Sequence, residues 1–155
     1  MTRLLGLDVG DARVGVAVGD LEALVARPLA TFRRGSPAAD AGLIARLAAE
    51  QAADELVVGL PVDETGSEGE QARRTRAWAM EIARRTGLRL SWRDERFTTL
   101  AAEADQPRLR RERATGRPTR AAILRRRGVV DRQAAARILQ AEIDERAALR
   151  GGGQR

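Results

Sequence analysis

The stretch from Leu4 to Asp20 constrains the fold of this chain more than any other. Two short apolar runs, at residues 4–9 and 14–18, flank a turn at residues 10–12, which is the pattern of a β-hairpin. Asp8 interrupts the first run, where a buried strand favours Val or Ile. Burying a carboxylate is costly unless a cation or hydrogen bonds compensate it, so we expect a cationic group to meet Asp8.

The pleat of this first strand separates its side chains into two sets. Gly6 and Asp8 lie on one face, and Leu5, Leu7 and Val9 lie on the other. The face that carries Asp8 therefore has little side-chain bulk. Bare backbone beside a carboxylate suits a metal ion, a phosphate or both, and we expect such a ligand there.

Missing residue types limit the chemistry of the chain. It contains no Cys, His, Tyr or Lys. Disulfides, His-activated nucleophiles, His-ligated zinc, lysine Schiff bases and a P-loop lysine are therefore excluded. For an enzyme, this composition favours carboxylates that hold a hard cation such as Mg²⁺ or Mn²⁺, with Arg binding anions.

Length and hydropathy predict a single domain. The 155 residues can bury a sizeable core, and we assign residues 1–149 to the domain and 150–155 to a flexible tail. The N-terminus lacks the charged-then-apolar pattern of a signal peptide, and no apolar run is long enough to cross a membrane. We therefore expect a cytoplasmic protein without a membrane partner.

The remaining apolar patterns predict an α/β fold with a mixed five-stranded sheet flanked by helices. After the hairpin we expect a strand at 27–32, with Pro28 at its start or on an edge, and a helix from the Ser36 cap to about Ala53. A buried strand at 55–60, a helix at 70–86 stopped by Gly87 and a half-buried strand at 88–93 follow. The last expected elements are a helix from Thr98 or Thr99 to Pro107, a short helix at 119–127 ended by Gly128, and a helix at 131–149. The hairpin requires antiparallel pairs and the helical crossovers favour parallel ones, so Asp8 is expected on a central strand. The first helix is interpreted as scaffold.

Positive charge is concentrated in one segment. All 28 basic residues are Arg, and the net charge is +6. Residues 108–127 contain one Glu and nine arginines: Arg108, Arg110, Arg111, Arg113, Arg117, Arg120, Arg125, Arg126 and Arg127. Such a segment can bind a nucleic-acid backbone in a salt-dependent way, with little base reading because aromatic residues are few. The alternatives are a solvated, self-repelling loop and the arginine bias of a GC-rich genome.

Three acids occupy unusual positions. Asp8 interrupts a strand, Glu95 follows another strand, and Asp131 begins the predicted last helix. Strand ends in an α/β sheet face a common crevice, so a helix packed over that edge can bring the three together. Converging carboxylates repel one another, and one or two divalent ions that bridge them would resolve this and activate water for phosphodiester hydrolysis.

Each acid also has a structural alternative. Asp8 can accept hydrogen bonds from the hairpin loop, Glu95 can form a surface ion pair with Arg93 or Arg96, and Asp131 can cap its helix. Arg13, just past the hairpin turn, can hold a phosphate near Asp8 or pair with Asp11. The residues alone leave these alternatives open.

Four blocks of the sequence resemble the YqgF/RuvX family. They are Gly6-Leu-Asp-Val-Gly-Asp-Ala-Arg-Val-Gly-Val-Ala17, Val58-Gly-Leu-Pro61 with Gly66 and Gly69, Asp94-Glu-Arg-Phe-Thr-Thr99, and Asp131-Arg-Gln-Ala-Ala-Ala-Arg-Ile-Leu-Gln140. The resemblance implies an RNase H-like fold, as in the Holliday junction resolvase RuvC, and a nuclease assigned to maturation of the 5′ end of pre-16S rRNA. It also implies that Asp8, Glu95 and Asp131 are the metal-binding acids.

The chain departs from the family pattern in two places. Gly19 stands where a Ser commonly precedes the aspartate, here Asp20. The stretch between Thr99 and Asp131 is unusually rich in arginine, which leaves the substrate preference open.

The sequence thus predicts a Mg²⁺- or Mn²⁺-dependent endonuclease of structured nucleic acid, with precursor ribosomal RNA as the favoured substrate. Asp8, Glu95 and Asp131 are the expected ligands, Arg13 and Arg96 are expected to position the scissile phosphate, and the protein is expected to be a monomer or homodimer. One alternative is a resolvase of branched DNA, which needs a symmetric dimer. Others are a non-catalytic RNA-binding assembly or transcription factor, and an ATPase of the actin and sugar-kinase type.

Overall fold

A computed structural model of the chain describes residues 3–62, 65–94 and 119–152, with the backbone alone described at 121–130. Its elements in chain order are β1 (Arg3–Val9), β2 (Arg13–Asp20), β3 (Val25–Arg33), α1 (Pro37–Gln51), β4 (Ala53–Leu60), α2 (Glu70–Thr86), β5 (Arg89–Asp94) and α3 (Arg120–Gly152). No helix in these ranges is both long enough and apolar enough to cross a lipid bilayer.

The strands form one mixed sheet in the order β3-β2-β1-β4-β5. The hairpin partners β1 and β2, and likewise β2 and β3, are antiparallel, whereas β4 runs parallel to both β1 and β5. The predicted mixed five-stranded sheet, with Asp8 on its central strand, is confirmed. Pro28 lies on the edge strand β3, where its missing N–H is tolerated.

Two hydrophobic layers cover the sheet. One packs the sheet against α1 and α2, and its largest members are Leu5, Leu7, Val14, Val16, Ile44, Leu56, Trp78 and Ile82. The other packs the sheet against α3 and consists of Leu4, Ala17, Val57, Ala135, Ile138, Leu139 and Ile143. Alternate residues of β1 therefore enter different layers, as its pattern predicted.

The first two helices form where capping residues predicted them. Ser36 precedes α1, and its hydroxyl accepts a hydrogen bond from the Ala39 N–H at 3.1 Å. Gly87 ends α2 with a φ of 73°, a left-handed conformation that Gly adopts without steric cost.

The last helix differs from the prediction. A short helix ended by Gly128 and a second one beginning at Asp131 were expected, but α3 runs without a break from Arg120 to Gly152. Gly inside a helix costs only about 1 kcal/mol relative to Ala, and no proline follows Pro118, so packing of α3 on the sheet outweighs the local stop signal. The helix also includes Gly151 and Gly152, which the sequence assigned to the tail.

The face of β1 and β2 that carries Asp8 is lined with small residues because α3 lies directly on it. A Cβ atom added to Gly6 would lie 2.8 Å from Leu139 Cβ, and one on Gly19 would lie 2.6 Å from Ile143 Cδ1. A Cβ on Gly15 would overlap the carbonyl group of Asp131. The bare surface was expected to hold a metal or phosphate. Along most of its length it admits the helix backbone instead.

Ion pairs join α3 to β4 and β5, at the edge of the sheet away from β3. Arg146 donates from both terminal nitrogens to the Glu55 carboxylate, at 3.0 and 2.6 Å, and Ser91 donates to the same group at 2.6 Å. The bonds from Arg146 lower the pKa of the Glu55 carboxyl, although burial opposes the shift. Arg93 on β5 pairs with Glu142 and Glu145 of α3, at 3.0 and 2.6 Å. These contacts set the position of α3 along the sheet.

The close approach at Gly15 predicts a large penalty for a single methyl group. We expect Gly15→Ala to reduce the free energy of unfolding by at least about 2 kcal/mol, because backbone atoms cannot move aside as a flexible side chain can. Gly42→Ala in the exposed face of α1, where nothing lies within 4 Å, should raise it by about 0.5 to 1 kcal/mol. Urea unfolding followed by circular dichroism measures both. Equal stability of Gly15→Ala and the parent would contradict the packing described here.

Candidate active site

Asp8 lies near the carboxyl end of the central strand, on the face covered by α3. Its cross-strand partner in β2 is Gly15. The side chain is neither fully buried nor fully exposed. The absence of a side chain at Gly15 leaves space beside Asp8 for a residue of α3.

Asp131 is the residue of α3 that occupies this space. It lies one helical turn before Ala135, on the stripe of α3 that packs against the sheet, and its backbone rests on Gly15. Because Gly15 pairs with Asp8, the register of the hairpin and the seating of the helix together make Asp8 and Asp131 neighbours. The Asp131 side chain remains 24% exposed, so it is open to solvent or ligand.

Arg13 completes this group of described residues. Its Nε donates a hydrogen bond to Asp131 Oδ2 at 2.9 Å, and its own side chain is 24% exposed. Arg13 and Gly15 are two residues apart in β2 and therefore point to the same face. Two of the sequence alternatives are thus wrong: Arg13 pairs with Asp131 rather than Asp11, and Asp131 is internal to α3 rather than its cap.

The other predicted site residues are only partly within the described ranges. Glu95, the residue after the end of β5, lies outside them, as do Arg96, the helix predicted between Thr98 and Pro107, and the arginines Arg108, Arg110, Arg111, Arg113 and Arg117. Arg120 is the first residue of α3 and is exposed, and Arg125, Arg126 and Arg127 follow it in that helix. Arg93, a predicted partner of Glu95, contacts α3, and its predicted pair with Glu95 lies outside the described residues.

The described acids of this site offer part of a ligand set for a divalent cation. Across residues 3–62, 65–94 and 119–152, no three acidic, His or Cys side chains come together in a geometry that could hold a metal. Two of the three predicted ligands, Asp8 and Asp131, are adjacent and offer carboxylate oxygens, the ligand type that Mg²⁺ and Mn²⁺ prefer. Their chemistry fits such an ion, and the third acid is beyond the described ranges.

Sequence reasoning missed the residue that brings the two acids together. Gly15 lies within one of the four family-like blocks and had no predicted role of its own, yet its missing side chain allows Asp131 to approach Asp8. The signal was present in the alternation Gly15-Val16-Ala17-Val18-Gly19, which places small residues on one face of a strand and valines on the other. A strand with such a face predicts close contact with another backbone.

A protein-family model for RuvX, described as a Holliday junction resolvase, matches residues 2–145. The chain belongs to the RuvX family. This confirms the resemblance seen in the four sequence blocks. The match also includes the arginine-rich segment that appeared divergent from the sequence alone.

Relatives of this RuvX-family chain match it over nearly their whole length. A protein of Anaeromyxobacter sp. is 43% identical over 144 residues, which cover 93% of this chain and 98% of the relative. A protein of Moorella thermoacetica is 40% identical over 147 residues, covering 92% and 94%. Both carry the name "Putative pre-16S rRNA nuclease".

Solved structures of a different resolvase share the fold. RuvC of Thermus thermophilus in complex with a Holliday junction substrate superimposes with a TM-score of 0.55 at 14% identity, over 96% of this chain and 97% of RuvC. A second structure of that RuvC gives a TM-score of 0.50 at 15% identity, over 94% and 96%. The RNase H-like fold predicted for this chain is confirmed.

The ion pair between Arg13 and Asp131 should be measurable as a coupling energy. We expect a double-mutant cycle with Arg13→Gln and Asp131→Asn to give about 1 kcal/mol, because both groups are largely withdrawn from solvent. The control cycle uses Arg46→Gln and Glu50→Gln, an exposed pair 3.8 Å apart, and should give less than about 0.5 kcal/mol. Urea unfolding supplies the free energies. Equal coupling in both cycles would contradict the placement of Asp131 against β2.

Proposed function

We propose that this chain is a divalent-metal-dependent endonuclease that hydrolyses phosphodiester bonds in structured nucleic acid, and that its substrate is the 5′ end of pre-16S rRNA. One observation carries the proposal: Asp8 and Asp131 become neighbours across Gly15, with the guanidinium of Arg13 beside them. Membership of the RuvX family and the nuclease names of relatives at about 40% identity support it.

Asp8, Asp131 and Glu95 are the proposed ligands of Mg²⁺ or Mn²⁺. Asp8 and Asp131 are held by two rigid elements, a central strand and a helix, which favours a fixed spacing of their oxygens. Glu95 directly follows β5, the strand that holds Arg93 against α3. A bound ion would supply an activated water and stabilise the leaving oxygen.

Arg13 is the proposed phosphate-positioning residue. Its Nε–H is used by Asp131, which fixes the plane of the guanidinium and leaves the terminal nitrogens available as donors to a phosphate. The same pairing offsets part of the negative charge of the acids. We assign a similar role to Arg96, and we assign binding of the flanking backbone to the arginines of residues 108–127.

Recognition of the substrate is proposed to depend on backbone charge and shape. The chain has 28 Arg and only two Trp and two Phe, so few rings are available to stack on bases. Structured RNA is favoured because the relatives are named for a precursor of 16S rRNA. A four-way DNA junction is the second candidate, favoured by the resolvase description of the family model.

The test is a side-by-side cleavage assay. A labelled pre-16S 5′ leader RNA and a synthetic four-way DNA junction are incubated with Mg²⁺, Mn²⁺ or EDTA. We expect metal-dependent cleavage of the RNA, reduced at least about 100-fold by Asp8→Asn and by Asp131→Asn because each removes a charged ligand. Asp144→Asn, an exposed acid of the same helix, is the control and should cleave normally.

The alternative outcomes distinguish the candidates. Preferential cutting of the junction by a dimer would support the hypothesis of a junction resolvase and contradict the proposal that RNA is the substrate. Cleavage that persists in Asp8→Asn would contradict the assignment of the catalytic acid. Salt-sensitive binding of RNA with no cutting of either substrate in any metal would replace the nuclease with a binding protein.

A further inference from the structure

A second site opens on the opposite side of the sheet from Asp131. A cavity of about 440 Å³ lies where the β1–β2 turn meets α2. Val9, Gly10 and Asp11 line it from the turn, Arg34 and Gly35 from the end of β3, and Gln71, Arg74 and Thr75 from α2. Val9 belongs to the layer packed on α1 and α2, whereas Asp8 faces α3, so the turn separates the two sites.

Arg34 is held in a fixed orientation at this cavity. One terminal nitrogen donates to the Gly10 carbonyl at 2.9 Å, and the backbone N–H of Arg34 donates to the Ala12 carbonyl at 2.9 Å. The guanidinium carbon lies 5.5 Å from the centre of the Trp78 ring. Within the described part of the chain, neither Arg34 nor Arg74 forms an ion pair with a carboxylate. Both charges are therefore available to an anion.

A buried acid organises the floor beneath Arg34. Asp40 is 1% exposed, and its Oδ2 accepts a hydrogen bond from Trp78 Nε1 at 3.2 Å. Its Oδ1 accepts from the backbone N–H of Gly35, a residue of the cavity wall, at 2.8 Å. Asp40 thereby positions both the ring under Arg34 and the loop beside it. The sequence had assigned α1 a scaffold role only.

Thr75 adds a hydroxyl to the wall of the cavity. The residue is 4% exposed and lines the cavity from α2. A threonine hydroxyl can donate a hydrogen bond to a phosphate oxygen. Thr75 therefore adds a neutral donor beside the two arginines.

We propose that this cavity binds a backbone phosphate of the nucleic-acid substrate, at a distance from the bond that is cut. Among the described lining residues, two arginines, a hydroxyl and the Gln71 amide outweigh the one carboxylate, that of Asp11, which is exposed at the rim. The identity of the ligand as nucleic acid rests on the proposed function. Inorganic phosphate would bind through the same chemistry, and the experiments below distinguish it from a nucleic-acid backbone.

The experiment measures binding in EDTA, where cleavage does not contribute. Fluorescence anisotropy of the labelled pre-16S leader is recorded over a series of salt concentrations. We expect Arg74→Gln to weaken binding about tenfold and to reduce the slope of log K against log salt by about 0.7 to 0.9, the value for one lost phosphate contact. Arg73→Gln removes the same charge from the neighbouring exposed residue outside the cavity, and it should change the affinity less than twofold.

Two further variants test whether the cavity itself binds the phosphate, rather than the overall positive charge of the surface. Thr75→Val keeps the shape of a buried side chain and removes only its hydroxyl, and it should weaken binding about threefold. Asp11→Asn removes the one acid among the described lining residues and should tighten binding. Equal losses in Arg73→Gln and Arg74→Gln, with no effect of Thr75→Val, would overturn the proposal in favour of diffuse charge attraction.

A direct titration with inorganic phosphate decides the source of the phosphate. Inorganic phosphate is titrated against the parent and Arg74→Gln, with tryptophan fluorescence as the signal because Trp78 lies under Arg34. A phosphate response that Arg74→Gln abolishes, together with unchanged RNA affinity, would make this a small-molecule site and overturn the backbone assignment. Weakened RNA binding in Arg74→Gln, with no cleavage by the parent in Mg²⁺, would support this site while contradicting the nuclease proposal.

Discussion

The structure depends on the direct contact between the backbone of α3 and the small-residue face of the β1–β2 hairpin. Gly6, Gly15 and Gly19 have no side chains, and any Cβ placed there would collide with the helix. This contact sets how close α3 can come to the central strand. It also sets the position of Asp131 relative to Asp8, because Gly15 contacts the backbone of Asp131 and is the cross-strand partner of Asp8. A packing constraint therefore determines the geometry of the candidate active site.

The remaining contacts of α3 fix its position along the sheet. The pairs of Arg146 with Glu55, and of Arg93 with Glu142 and Glu145, join the helix to β4 and β5. The opposite layer has a different organisation, in which buried Asp40 supports Trp78 and the loop at Gly35. The β1–β2 hairpin thus presents Asp8 toward α3 and its turn toward the cavity at α2, and both sites lie at the same end of the sheet.

Much of this could be predicted from local sequence. The interrupted strand at Asp8, the cap at Ser36 and the stop at Gly87 each have a local physical cause, and each was confirmed. The continuity of α3 through Gly128 could not be predicted, because tertiary packing outweighs a local helix penalty. The bond between Arg13 and Asp131 joins residues 118 positions apart, and the bond between Asp40 and Trp78 spans 38. Such pairs depend on where the elements pack.

The central claim is that the seating of α3 on Gly15 lets Asp8 and Asp131 bind one divalent ion. The most direct measurement is a crystal structure of the full chain with Mn²⁺, with the ion located by its anomalous scattering. We expect an anomalous peak in contact with both carboxylates, absent from crystals of Asp8→Asn grown under the same conditions. A peak bound elsewhere, or no peak while Asp131 contacts only Arg13, would contradict the account.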